Sequence, residues 1–151
     1  MKINLPKILL SLMMLFSTEA FSDDYKEYEN NYYALYLGVT PIHEMLDYLG
    51  PPIKITSNND KIAYAYEDLF VFARKSTGKI TRISICDEDY EDKNGMRVGY
   101  AESYLREAIK IDETRTDSVG RQYAMDLANG IAYWIVDDRI KKIVLSYRID
   151  L

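Results

Sequence analysis

The sequence predicts an α+β protein of two tandem units, each a short helix packed on a small antiparallel sheet of about four strands. Three observations predict it. A capped, amphipathic helical stretch is followed by short alternating segments. A weaker copy of that order recurs about 60 residues on. Turn residues punctuate both copies at strand-like intervals.

The first helix is written in TPIHEMLDYLGPP, residues 40–52. Thr40 is placed to cap it and Pro41 suits its first position. Ile42, Met45, Leu46 and Leu49 fall at i, i+3, i+4 and i+7, one helical face. Gly50 ends it, and Pro51 and Pro52 block continuation. At an offset of 59, Ala101, Tyr104, Leu105 and Ala108 repeat the spacing, and Tyr64-Ala65 falls on Tyr123-Ala124. At an offset of 60, GKITRISI (78–85) falls on DRIKKIVL (138–145), which matches Ile80, Ile83 and Ile85 with Ile140, Ile143 and Leu145. A single-residue indel accounts for the change of offset.

Strands are expected near 53–57, 61–67, 69–75 and 79–86, then near 111–115, 120–126, 130–136 and 139–148. The turns Asn58-Asn59-Asp60, Ser76-Thr77-Gly78, Asn129-Gly130 and Asp137-Asp138 separate them. The last strand of each copy alternates most clearly. Ile83 and Ile85 share one face and Arg82 and Ser84 the other; Ile143, Leu145 and Tyr147 oppose Lys142, Ser146 and Arg148. A helix is expected to cover the apolar face of each sheet, with the other face wet.

The organisation expected is a leader at 1–22, an acidic, Tyr-rich extension at 23–35, a first repeat at 36–86, an acidic linker at 87–95 and a second repeat at 96–151. Lys2 and Lys7, the apolar run from Ile8 to Phe16 and the small residues Ala20 and Ser22 read as a secretory signal cleaved after Ser22, the run being too short to span a bilayer. A periplasmic or secreted product without a membrane anchor is expected. Cleavage leaves 151 − 22 = 129 residues. Removing Lys2, Lys7 and Glu19 from 19 basic and 24 acidic residues leaves 17 − 23 = −6. That charge argues against a nucleic-acid partner. The lone Cys86 excludes an internal disulfide and leaves a free thiol or an intermolecular pair open.

Catalytic motifs are sparse. His43 is the only histidine and sits in the first turn of the first helix, whereas Cys86 ends a strand, so a Cys–His dyad is not expected. The acidic stretch CDEDYEDKNG, residues 86–95, fails as a calcium loop. Counted from Asp87, Asp92 stands where the sharp turn requires Gly and Val98 where the loop requires Glu. It reads as a solvated connector. No cofactor or metal is expected, and no enzymatic activity. The reading is a protein-binding platform whose contact residues are drawn from Tyr64, Tyr66, Phe70, Phe72, Tyr123, Tyr133 and Trp134, with Asp87, Glu88, Asp89 and Tyr90 offered by the connector to a basic cleft. Strand alternation buries every second aromatic, and the pattern of the middle strands fits either face.

The pieces GVTPIHEMLDYLGPP and NGMRVGYAESYLREA resemble a repeat of small envelope proteins, the SmpA/OmlA family, in which a Gly-hydrophobic-Thr/Ser turn leads into a short helix ending Leu-Gly-x-Pro. Gly38, Thr40, Leu49, Gly50 and Pro52 carry the likeness in the first copy, and Gly99 and Leu105 in the second, which lacks the Leu-Gly-x-Pro ending. The tandem arrangement is similar to the architecture of the β-lactamase inhibitor protein. The chain departs from the first family in having no lipidation Cys near its start, and from the second in having no disulfide-forming pair. The resemblances bear on fold more than function; the acidic, Tyr-rich platform without catalytic groups is what reads as a periplasmic inhibitor or immunity protein that blocks an envelope-targeting hydrolase or toxin by steric occlusion. The alternative, which the SmpA/OmlA resemblance implies, is an envelope or outer-membrane assembly or maintenance factor.

Overall fold

The computed structural model describes residues 28–147. The predicted leader, the first residues of the Tyr-rich extension and Arg148 lie outside the described residues. Within them the chain runs from a two-stranded ribbon, β1 (Asn31–Tyr32) and β2 (Leu35–Tyr36), into helix α1 (Ile42–Leu49). Strands β3 (Lys54–Asn58), β4 (Lys61–Ala65), β5 (Leu69–Arg74) and β6 (Lys79–Ile85) follow. Helix α2 (Glu102–Ala108) then leads to β7 (Glu113–Thr116), β8 (Gln122–Asp126), β9 (Ile131–Val136) and β10 (Arg139–Ser146).

This overturns the α+β class and its pair of separate helix-on-sheet units. The protein is mostly β. All eight later strands form one antiparallel sheet in the order β3-β4-β5-β6-β10-β9-β8-β7, and the two helices are only eight and seven residues long. The reason lies in β6 and β10. Both alternate strongly and neither is an edge strand. They pair with each other through Ile143↔Ile85, Val144↔Ser84, Leu145↔Ile83 and Ser146↔Arg82, so no sheet edge divides the molecule.

One side of the sheet carries the core. Val71, Ala73, Ile80, Ile83, Ile85, Ile131, Tyr133, Ile140, Ile143 and Leu145 are at most 1% exposed there, under Met45 of α1 and Leu105 of α2. Burying a side chain the size of Ile or Leu contributes about 1.5–3 kcal/mol. The row formed by Ile83, Ile85, Ile143 and Leu145 is therefore the centre of the fold's stability.

The helix entries repeat at a constant offset of 60. Ile80 N donates to Thr40 O and Ile140 N to Tyr100 O; Ile42 N donates to Gly78 O and Glu102 N to Asp138 O. The bridges Pro41↔Lys79 and Ala101↔Arg139 obey the same offset. The offset of 59 read from the helices and from Tyr64-Ala65 is thus a register slip. Burial matches Met45 with Leu105, and Tyr104 is half exposed. Thr40 is not the helix cap, which is Pro41; its Oγ1 accepts from Tyr36 N at 2.9 Å and fixes the turn out of the ribbon. Gly38, with φ +74°, lies in that turn, where a Cβ would enter the Tyr147 ring.

The connector is not the solvated linker expected. Tyr90 and Asp92 are 7% and 5% exposed. Tyr90 stacks at 5.2 Å on Tyr32 and its hydroxyl donates to Asn31 O at 2.9 Å. Asp92 accepts from Met96 N at 2.8 Å, from Asn94 N at 2.9 Å and from the Tyr133 hydroxyl. Asn94 Nδ2 in turn donates to Tyr133 Oη at 3.0 Å and to Asp126 at 2.8 Å. The connector is thereby pinned to the core side of β9, with Glu88, Asp89 and Glu91 left outside.

Burial, opposed in part by these three donors and aided by the nearby Asp126 charge, raises the Asp92 carboxyl above the usual carboxylate range. The native state therefore holds this proton more tightly than the unfolded chain does. The associated stability is fully present below the ordinary carboxylate pKa and is lost as pH rises through the raised native value. Urea midpoints for wild type and Asp92→Asn, compared from neutral to acidic pH, should show wild type gaining on the variant as pH falls. Tyr133→Phe leaves the buried carboxylate one donor short and should cost about 1–3 kcal/mol in urea unfolding. Because the sheet is undivided, unfolding followed by Trp134 fluorescence and by far-ultraviolet circular dichroism should give coincident transitions; separate midpoints would mean that the two halves melt independently.

Candidate functional site

The sheet face opposite the helices is where the chemistry collects. Period-two alternation puts the long polar and aromatic side chains of the central strands there. Cross-strand register then sets them in rows. One row runs Ala63–Phe72–Arg82–Ser146 across β4, β5, β6 and β10. Another runs Lys142–Trp134–Tyr123–Arg115 across β10, β9, β8 and β7. Between them lie shorter residues: Ser84, Val144 and Ala132. Low side chains flanked by tall ones make a trough of about 560 Å³, lined by Phe72, Arg82 and Ser146 of the first row and Lys142, Tyr123 and Arg115 of the second, together with Phe70, Met125 and Arg121.

The trough is built from cations set against aromatic rings. Lys142 Nζ lies 5.4 Å from the Phe70 ring centre and 5.2 Å from that of Trp134, and the Arg121 guanidinium lies 5.8 Å from the Trp134 ring centre. Such contacts contribute about 0.5–1 kcal/mol when exposed and more when water is excluded. They hold the ammonium over the trough. Four cations line it (Arg82, Arg115, Arg121 and Lys142) against one carboxylate, Asp117. The sign is opposite to the chain's net charge of −5, so overall composition does not account for it. Two of the four are already engaged: Arg115 donates to Glu113, and Arg121 to Asp117. Arg82 and Lys142 have no carboxylate within salt-bridge distance among the described residues.

Of the residues expected to contact a partner, Phe70, Phe72 and Tyr123 line the trough, and Trp134 stands beside it with its ring against Lys142. Tyr64 and Tyr133 belong to the core on the helix side, 5% and 0% exposed. Period-two alternation is the cause: Tyr133 points away from its neighbour Trp134, and Tyr64 points to the core whereas Tyr123, its match at offset 59, points to the trough. Tyr66 packs beneath α1, its hydroxyl donating to Gly50 O at 2.9 Å. Asp87 accepts from Tyr32 Oη at 2.8 Å and Tyr90 is buried, so neither is offered to a partner. Glu88 and Asp89 are exposed, on a connector anchored to the core side through Asp92 and Tyr133, away from the trough.

The trough cations Arg82, Lys142, Arg115 and Arg121 were not among the expected contacts. Their signal was the wet-face alternation of β6 and β10, in which Arg82 and Lys142 occupy equivalent positions at offset 60. His43 is exposed on α1 and Cys86 half-buried at the end of β6; neither lines the trough. Among the described residues, no group of three His, Cys, Asp or Glu is placed to hold a metal ion, and no helix is long and apolar enough to cross a membrane. No family model, curated protein or solved structure matches this chain, and the likeness to the SmpA/OmlA repeat rests on its short motifs alone.

Proposed function

We propose that this chain is an exported protein-binding module that grips another protein in the open trough of its sheet and inhibits or neutralises it by covering its active site. The target class is an envelope-acting hydrolase or toxin. The observation that carries the reading is the cation–aromatic trough on a sheet face that neither described helix covers. Aromatic and Arg side chains are the residues that dominate binding energy where proteins meet. A rigid eight-stranded sheet presents them with little ordering cost on binding. Steric occlusion requires no catalytic group from the binder, so the exposed His43 and half-buried Cys86 need take no part.

The test is affinity capture from the envelope fraction with wild type and with Trp134→Ala. The expected result is one exported hydrolase or toxin, retained by wild type, released by the variant and inhibited when the purified pair is mixed. Trp134 is half-buried and its ring sits against Lys142 and Arg121, so truncation should weaken capture by about 2–4 kcal/mol, the range of an interface anchor. Capture unchanged by Trp134→Ala, or a captured hydrolase that keeps full activity, would overturn the reading.

A further inference from the structure

The trough also specifies what kind of surface it takes; this inference rests on the protein-binding reading. Arg82 faces Ser146 across the β6–β10 ladder, and Lys142 lies four residues before Ser146 on the same strand. At about 3.3 Å per residue the backbone positions of the two residues are therefore offset by about 13 Å along the strands, with Lys142 Nζ leaning to within 5.4 Å of the Phe70 ring. Each has an aromatic neighbour across the ladder, Phe72 for Arg82 and Trp134 for Lys142. The space between is floored by Ser84 and Val144, which are 8% and 9% exposed and uncharged.

We propose that the trough seats an extended acidic segment of the partner protein, with carboxylates four residues apart on Arg82 and Lys142. An extended guest lying along the strands presents residues i and i+4 on one face with the same backbone spacing of about 13 Å. Its intervening side chain on that face meets the Ser84–Val144 floor, where a small residue fits. A nucleic acid or other uniform polyanion fits less well. It needs a continuous row of free cations, whereas Arg115 and Arg121 are held by Glu113 and Asp117 and the chain as a whole is acidic.

The experiment titrates the purified full chain with synthetic nine-residue Thr-rich peptides carrying two Glu residues spaced by two, four or six positions, and with their Gln counterparts. Trp134, the only tryptophan, reports binding by fluorescence. The four-spaced Glu peptide should bind about tenfold or more tighter than its Gln counterpart, as expected for charge-assisted pairs. Arg82→Gln and Lys142→Gln, which keep the side chains long and polar, should each remove most of that preference. Arg82→Glu with Lys142→Glu should transfer it to the matching Lys peptide. Equal binding of Glu and Gln peptides, indifference to spacing, or displacement of every peptide by a heparin fragment would overturn the proposal. So would concentration-dependent self-association abolished by Arg82→Glu, which would make a second copy the guest. If the peptides fail while Trp134→Ala still releases a captured enzyme, the acidic guest is wrong and the binding reading stands; if that variant changes nothing either, both fall.

Discussion

The pairing of β6 with β10 is the constraint on which the rest of this structure depends. Each of these strands is the most alternating segment of its half of the chain, with Ile83 and Ile85 on one and Ile143 and Leu145 on the other. Left unpaired, either would be an exposed edge with a row of unsatisfied backbone groups beside an apolar stripe. Joined, they put four large side chains at the centre of the core and make eight strands continuous. The ribbon, both helices and the connector then have one surface to pack on, and all of them use its apolar side.

That choice leaves the opposite side without a helix over it among the described residues, and the same ladder determines its chemistry. Because side chains alternate, fixing the isoleucines inward fixes Arg82, Ser84, Lys142 and Val144 outward. The neighbouring strands then bring Phe72 beside Arg82 and Trp134 beside Lys142. The molecule is divided electrically as a result. Carboxylates gather on the connector at the core side, where Asp92 is buried under three donors and Glu88, Asp89 and Glu91 face water. Cations gather in the trough. An acidic chain thus carries a trough lined by four cations and one carboxylate, opposite in sign to its net charge.

The acidic connector illustrates how composition misleads about burial. Five carboxylates in ten residues read as solvated, yet Tyr90 and Asp92 anchor the segment from within. Tyr90 finds an aromatic partner in Tyr32, and Asp92 finds its donors in Met96, Asn94 and Tyr133, two of them local and one 41 residues away. Only the last of these ties the connector to the sheet, and sequence spacing gives no hint of it.

The sequence by itself determined the elements that follow the ribbon: both helices, the eight later strands and their turns, and the inward stripe of the last strand in each half, because these follow from local periodicity and from Gly, Pro and Asn at the turns. It also contained the equivalence of Arg82 and Lys142. What only the tertiary structure decided was the joining of the strands into one undivided sheet and the face that each middle-strand aromatic occupies. A match at 59 instead of 60 residues sent Tyr64 and Tyr123 to the same side on paper, while hydrogen-bond register sends them to opposite sides. A strand's side chains repeat every two residues, so an error of one residue exchanges core for surface, and nothing in a short local window corrects it.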